Sequence, residues 1–206
     1  RYLAGVSWIR IVPPANADGR LAELYRQVAG PHCDVDQILQ AHSLRPHTLA
    51  GHLALYKAVL HHSRNTLGRA TLELLGVFVS HWNGCVYCRE HHFAGLQRHV
   101  RDEVQTQAIR RALERDSWET DFEARERELL RYARKLTLHP AEMNEADLEP
   151  LRAAGLTDGE ILEANQVVAY FQYANRTVNG LGVSHEGEQL GLAPSNLDDE
   201  SDWGHR

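Results

Sequence analysis

Residues 67–92 read LGRATLELLGVFVSHWNGCVYCREHH, and this stretch sets the fold class. From Leu67 to Ser80 the chain is apolar nearly all round, the pattern of a helix buried on most of its faces. Glu73 is the one charge in its middle. In such surroundings its pKa is expected to rise toward neutrality, which suits a proton carrier. The plainer expectation is a carboxylate paired with one of the chain's many arginines. Asn83-Gly84 breaks the helix. Asn83 reads as the N-cap of a second helix that starts at Gly84 or Cys85 and runs to about Val100. On it Cys85 and Cys88 are i, i+3, and Cys88 and His92 are i, i+4, so all three share one face. The first turn of a helix favours a thiolate and should lower the thiol pKa there. His92 is placed to take the thiol proton or to hold the thiolate as an ion pair. This is a dithiol with a base, a redox or peroxidatic arrangement.

Outward from this pair, helical periodicity continues. Upstream, Pro46 suits a first helical turn, and Leu49, Leu53, Tyr56 and Leu60 form one stripe up to a break at Ser63 to Thr66. Helices are expected over Gly19 to Ala29, stopped by Gly30-Pro31, and over Val35 to His42. Only Val6 to Val12 hints at strand alternation, ended by Pro13-Pro14. Downstream, one helix follows Asp102, and a capping box at Thr120 to Glu123 predicts another over Phe122 to Leu136. A helix from Asn144 or Glu145 to Ala154 stops at Gly155. A second capping box, Thr157 to Glu160, opens a long helix whose face carries Ile161, Ala164, Val168, Phe171 and Val178. Past Gly182 the chain turns polar and acidic, expected to be extended or partly disordered unless a partner holds it. The fold class is all-α, about eight helices, with the helical pair of residues 46–100 at the centre.

Composition narrows the function. A chain of 206 residues fits one ordinary domain, and no linker or repeat divides it. The net charge of −6 argues against a nucleic-acid partner, which needs a concentrated basic face. No apolar run approaches the length of a membrane helix and no signal-peptide pattern shows, so a cytoplasmic location is expected. Three cysteines are too few for a secreted disulfide framework. In a reducing compartment the Cys85/Cys88 spacing then means metal or redox chemistry. Cys33 reads as a small, half-buried hydrophobe.

Glu73, then Cys85 twelve residues on, then Cys88 and His92, resembles the signature of the alkylhydroperoxidase AhpD-like family, within the carboxymuconolactone decarboxylase superfamily. The context from Ser80 through Asn83, Gly84 and Tyr87 to His91 and His92 is similar to its uncharacterised peroxidase-related branch. So are Trp8-Ile9 with Pro13-Pro14 and the run Tyr170 to Arg176. The likeness to the core covers residues 44–131. Residues 1–43 read as an N-terminal extension, 144–182 as C-terminal helices and 183–206 as a polar tail.

The resemblance implies an all-α domain with the cysteine pair at a helix start. It implies that Cys88 attacks a hydroperoxide and becomes a sulfenic acid, and that Cys85 resolves it as a disulfide. Glu73 and His92 would move protons, and no haem or metal would be needed. In the family's type enzyme a lipoyl group on a partner protein reduces the disulfide; a thioredoxin-like reductant is the other expected donor. Family members are homo-oligomers, as dimers, trimers or hexamers. The type enzyme has a His just before the second cysteine. Here Tyr87 stands there, a poor base, so the relay is shorter or uses His91.

Three other readings use the same residues. Cys85, Cys88 and His92 could bind zinc with His81 or His91 as fourth ligand. The superfamily's lactone decarboxylases offer a lyase activity that does not need the dithiol. A non-enzymatic redox sensor would oxidise the pair and change its assembly. Elsewhere, His61-His62 is expected at a helix end or on the surface, and His52 as a half-buried, satisfied histidine. Tyr170, Phe171 and Tyr173 read as core or subunit interface. Arg176 is expected to find a carboxylate.

Overall fold

The computed structural model describes residues 6–30 and 34–194. Cys33 and the acidic end of the tail, residues 195–206, lie outside them. Among the described residues ten α-helices follow one another: α1 (Gly19–Val28), α2 (Gln37–Gln40), α3 (Pro46–Tyr56), α4 (Arg69–Trp82), α5 (Val86–Val100), α6 (Glu103–Glu114), α7 (Trp118–Asp121), α8 (Ala124–Leu138), α9 (Glu149–Ala153) and α10 (Asp158–Leu181). A π-helical turn, Lys57–His61, continues α3. Among the described residues no strand forms, and Val6 to Val12 is irregular chain. No helix among them is long and apolar enough to cross a membrane.

Helix α4 is the centre. Every residue from Leu72 to Ser80 is buried, as its all-round apolar pattern requires. It packs against α5, α8 and α10. Gly76 lets α10 come close: a Cβ there would stand 2.3 Å from Cζ of Phe171. The capping box at Thr157 and Glu160 is formed and opens α10, which ends at the left-handed Gly182 (φ +60°). The N-terminal segment is tied to that end, with Trp8 N–H donating to the Leu181 carbonyl at 2.8 Å.

The α4–α5 junction differs from the expected N-cap. Asn83 closes α4, Gly84 takes the left-handed conformation (φ +63°), and Cys85 is the N-cap of α5. Cys85 N–H donates to the Ser80 carbonyl (2.9 Å) and Gly84 N–H to that of His81 (3.1 Å), a Schellman pair. Asn-Gly is ambiguous in sequence, since it can open or close a helix; the two backbone bonds back into α4 decide for closing. The expected capping box at Thr120 is also absent. Thr120 lies inside the one-turn α7 and hydrogen-bonds the Ser117 carbonyl, and α8 starts after Glu123. Arg176 is exposed and donates to Gln172, and among the described residues it meets no carboxylate. One turn away on α10, Gln172 satisfies it without burial. His61 is buried, its ring edge-on to Tyr56 at 4.6 Å, because the π-helical turn carries it inward.

His52 on α3 is buried more deeply than expected. It is 4% exposed, and its ring lies 5.1 Å from that of His42. Burial first, and the neighbouring His42 second, push its pKa down to about 3. The folded chain therefore refuses a proton that the unfolded chain takes up near pH 6.5. This part of the stability is complete above about pH 6.5 and is lost as pH falls toward 3, by about 1.4 kcal/mol per pH unit. Urea unfolding at pH 7 and pH 5 is expected to show the loss, and His52→Gln is expected to flatten it. An equal slope in the variant would place the acid sensitivity elsewhere.

Candidate functional site

Cys85 and Cys88 are free thiols, both buried, at the N-cap and the third position of α5. Five of the six residues singled out in the sequence, namely Glu73, Tyr87, Cys88, His91 and His92, line one cavity of about 50 Å³. Cys85 sits behind Cys88 and does not line it. Leu53, Tyr56, Tyr170 and His52 give the cavity an apolar, aromatic wall.

Glu73 reaches this cavity because α5 leaves it room. His92, Gly95 and His99 lie on one face of α5, and the Glu73 carboxyl rests on Gly95, where a Cβ would be 2.8 Å from its Cδ. His92 Nδ1 donates to Glu73 Oε2 at 2.7 Å, and the His92 ring stands edge-on to Phe171 at 4.6 Å. This corrects two expectations. Glu73 is paired with a histidine, not an arginine. Its pKa is lowered, not raised: burial pushes it up, but His92, by charge and hydrogen bond, and then His61 and His99, outweigh burial. Glu73 therefore acts as a carboxylate that orients His92, leaving Nε2 as the ring nitrogen it does not hold.

The two thiols are not equivalent, which corrects the expectation that the helix start lowers both. Cys85 is pulled down, first by the Cys88 thiol pointing at its sulfur, against desolvation, with the Cys88 backbone amide helping. Burial pushes Cys88 well up, and its hydrogen bond and charge repulsion with Cys85 add to the rise. The two thiols are coupled, and of the pair Cys85 gives up its proton more readily, while the sulfur facing the cavity is that of Cys88.

Three further residues belong to the site and were not singled out as such in the sequence. Asn175 of α10 is fully buried and hydrogen-bonds toward both cysteines. Its orientation is fixed, since Nδ2 donates to Ser80 Oγ (3.0 Å) and Oδ1 accepts from Asn83 Nδ2 (2.9 Å). Its position was legible: 171, 175 and 178 continue the apolar stripe of α10, and an Asn on such a stripe is a signal. Asp36 lines the cavity from the chain before α2. Glu188, in the segment after α10, accepts from Tyr87 Oη at 3.0 Å and lies 3.4 Å from His91 Nε2. Tyr87 and His91 are thus both turned to Glu188, with their rings stacked at 4.5 Å. Neither Asp36 nor Glu188 carries a spacing signal. Among the described residues no three His, Cys, Asp or Glu side chains converge as a metal set; His92 is turned to Glu73.

No protein-family model and no curated protein matches the sequence. Solved structures do. The chain is similar to an uncharacterised peroxidase-related protein with an alkylhydroperoxidase AhpD core from Ralstonia eutropha JMP134. That match has 23% identity and a TM-score of 0.75, covering 87% of this chain and 92% of that one. It is similar to an uncharacterised peroxidase-related protein from Silicibacter sp. TM1040 at 24% identity and a TM-score of 0.74, covering 89% and 96%. The debrominase Bmp8 matches at 16% identity and a TM-score of 0.66, covering 89% and 93%. The same helical scaffold therefore serves more than one activity. The chain has the AhpD-like all-α fold.

Proposed function

We propose that this protein reduces small organic hydroperoxides through a Cys85–Cys88 dithiol. The observation that supports this best is a buried thiol, Cys88, sharing one small cavity with a Glu73–His92 pair in 2.7 Å contact. In this reading His92 takes the Cys88 proton, with Glu73 holding the ring. The Cys88 thiolate attacks the outer oxygen of the hydroperoxide, the O–O bond breaks, and Cys88 becomes a sulfenic acid. The departing alkoxide takes a proton and leaves as the alcohol. Cys85 attacks the Cys88 sulfur, releasing water and closing the disulfide. An external dithiol, lipoyl or thioredoxin-like, returns both electrons, and the protein works as a homo-oligomer in the cytoplasm. The reaction needs no metal or haem.

Consumption of tert-butyl hydroperoxide with dihydrolipoamide as donor tests this. The expected result is one dithiol oxidised per hydroperoxide reduced, saturating in both. No consumption with any dithiol would count against it. A second reading, dehalogenation of a small aromatic, is favoured by the cavity's aromatic wall of His52, Tyr56 and Tyr170. Bromide release from a bromopyrrole, without hydroperoxide consumption, would put that reading first.

Gly95→Ala tests the pairing of Glu73. The added methyl displaces the far end of a flexible side chain, so folding stability is expected to fall by only about 1 kcal/mol. The rate of thiol oxidation by hydroperoxide is expected to fall about tenfold as the carboxylate leaves His92. An unchanged rate would show that the pairing is dispensable.

A further inference from the structure

Besides the Glu73–His92 pair, a second acid, Asp36, lines the same cavity. Asp36 stands at the N-cap of α2, yet its carboxyl does not cap that helix. It faces the cavity instead and hydrogen-bonds the Glu188 carboxyl. Glu188 is held as an acceptor. Its Oε1 receives the Gln37 N–H (2.6 Å) and the Tyr87 hydroxyl (3.0 Å), and His91 Nε2 lies 3.4 Å from Oε2. Its side chain is 7% exposed. Burial and the neighbouring Glu188 carboxyl both favour the protonated form of Asp36. A purely structural tether between the C-terminal segment and α5 would need only one of these acids.

We infer that Asp36 is the general acid of the reaction, giving its proton to the alkoxide that leaves when Cys88 attacks a hydroperoxide, with Glu188 as the positioning residue that loads and orients it. This rests on the hydroperoxide reading above. The step balances. The Cys88–O bond forms as the O–O bond breaks, sulfur is oxidised and the peroxide reduced, and the Asp36 proton ends on the alcohol. The proton Cys88 gave to His92 restores Asp36 through solvent.

The surroundings suit that task. Burial pushes the Asp36 carboxyl up to about 7; His91 pulls against it, and Glu188 and Asp34 add to the rise. A carboxyl near neutrality is both loaded and willing to donate. The other groups facing it are Tyr87 and His91 from α5, Tyr56 from α3, and the segment that carries His185 and Glu188. Tyr56 feels both Glu73 and Asp36, so the two acid clusters flank one space. That separates the roles: one cluster takes the thiol proton, and the other supplies the alcohol's.

The test is Asp36→Asn, close in shape to the carboxyl, with three reagents against the reduced protein and intact mass as readout. tert-Butyl hydroperoxide needs a proton on its leaving oxygen. Peracetic acid does not, because a carboxylate leaves unaided, and iodoacetamide reports only the thiolate. Asp36→Asn is expected to slow the first by about tenfold or more, and to leave the other two within about twofold of wild type. Equal loss with all three reagents would make Asp36 structural, and no loss would remove its role. Glu188→Gln keeps the acceptor for Gln37 and Tyr87 but removes the charge. It is expected to shift the Asp36 titration, followed by carboxyl-carbon NMR, downward; an unmoved titration would overturn the role of Glu188 in loading Asp36. A wild-type protein that alkylates normally but ignores hydroperoxide would end the hydroperoxide reading and this acid role together. Hydroperoxide reduction at full rate in Asp36→Asn would end only the latter.

Discussion

Cys88→Ser is expected to lose hydroperoxide-driven oxidation entirely, a fall on the order of 10³-fold or more, while remaining folded. Serine fills nearly the same buried volume, so far-UV circular dichroism should not change. Cys85→Ser should behave differently. Its Cys88 keeps the cavity position and still reacts once, gaining one oxygen, but no internal disulfide can close. Cys85→Ser also removes the neighbour whose hydrogen bond and charge raise the Cys88 pKa, so the first step is not expected to slow. Full turnover by Cys88→Ser, or an internal disulfide lost in neither variant, would contradict the assignment of roles.

The second large effect is expected at Glu73. Glu73→Gln keeps an oxygen for the His92 Nδ1–H but removes the charge that stabilises the ring once it has taken a proton. The oxidation rate should fall by about 10²-fold. Stability should change by about 1 kcal/mol or less, because the buried hydrogen bond survives. The comparison with Gly95→Ala is informative, since that change moves the carboxylate and this one neutralises it. Stopped-flow oxidation of both variants, with urea unfolding alongside, checks the pair of expectations. A Glu73→Gln protein that unfolds but reacts at the normal rate when folded would make Glu73 a structural residue.

Much of this was legible in the sequence, for local reasons. Helix α4 announces itself because a buried helix must be apolar on all faces, and α10 because Thr157 and Glu160 form its capping box. The Glu73–Cys85–Cys88–His92 set is legible because three of the four lie within two helical turns. What sequence could not give is the environment. Glu73 reads as an isolated buried acid that should hold its proton, and only the packing of α4 against Gly95 of α5 shows the histidines that reverse the shift. The two cysteines read as equals until Cys88 is seen to donate to Cys85. Glu188 reads as part of a polar tail, and its bonds to Gln37 and Tyr87 span 151 and 101 residues. Asn83-Gly84 reads as a helix start although the same dipeptide can close a helix, and the backbone bonds that decide are invisible in sequence.

The most direct measurement is intact mass on fully reduced protein after a short stoichiometric pulse of an organic hydroperoxide. It needs no choice of reductant. The account predicts a rapid loss of two hydrogens, mapped to a Cys85–Cys88 disulfide and absent in Cys88→Ser. Thiols that stay reduced under the pulse, while iodoacetamide still labels Cys88, would contradict it.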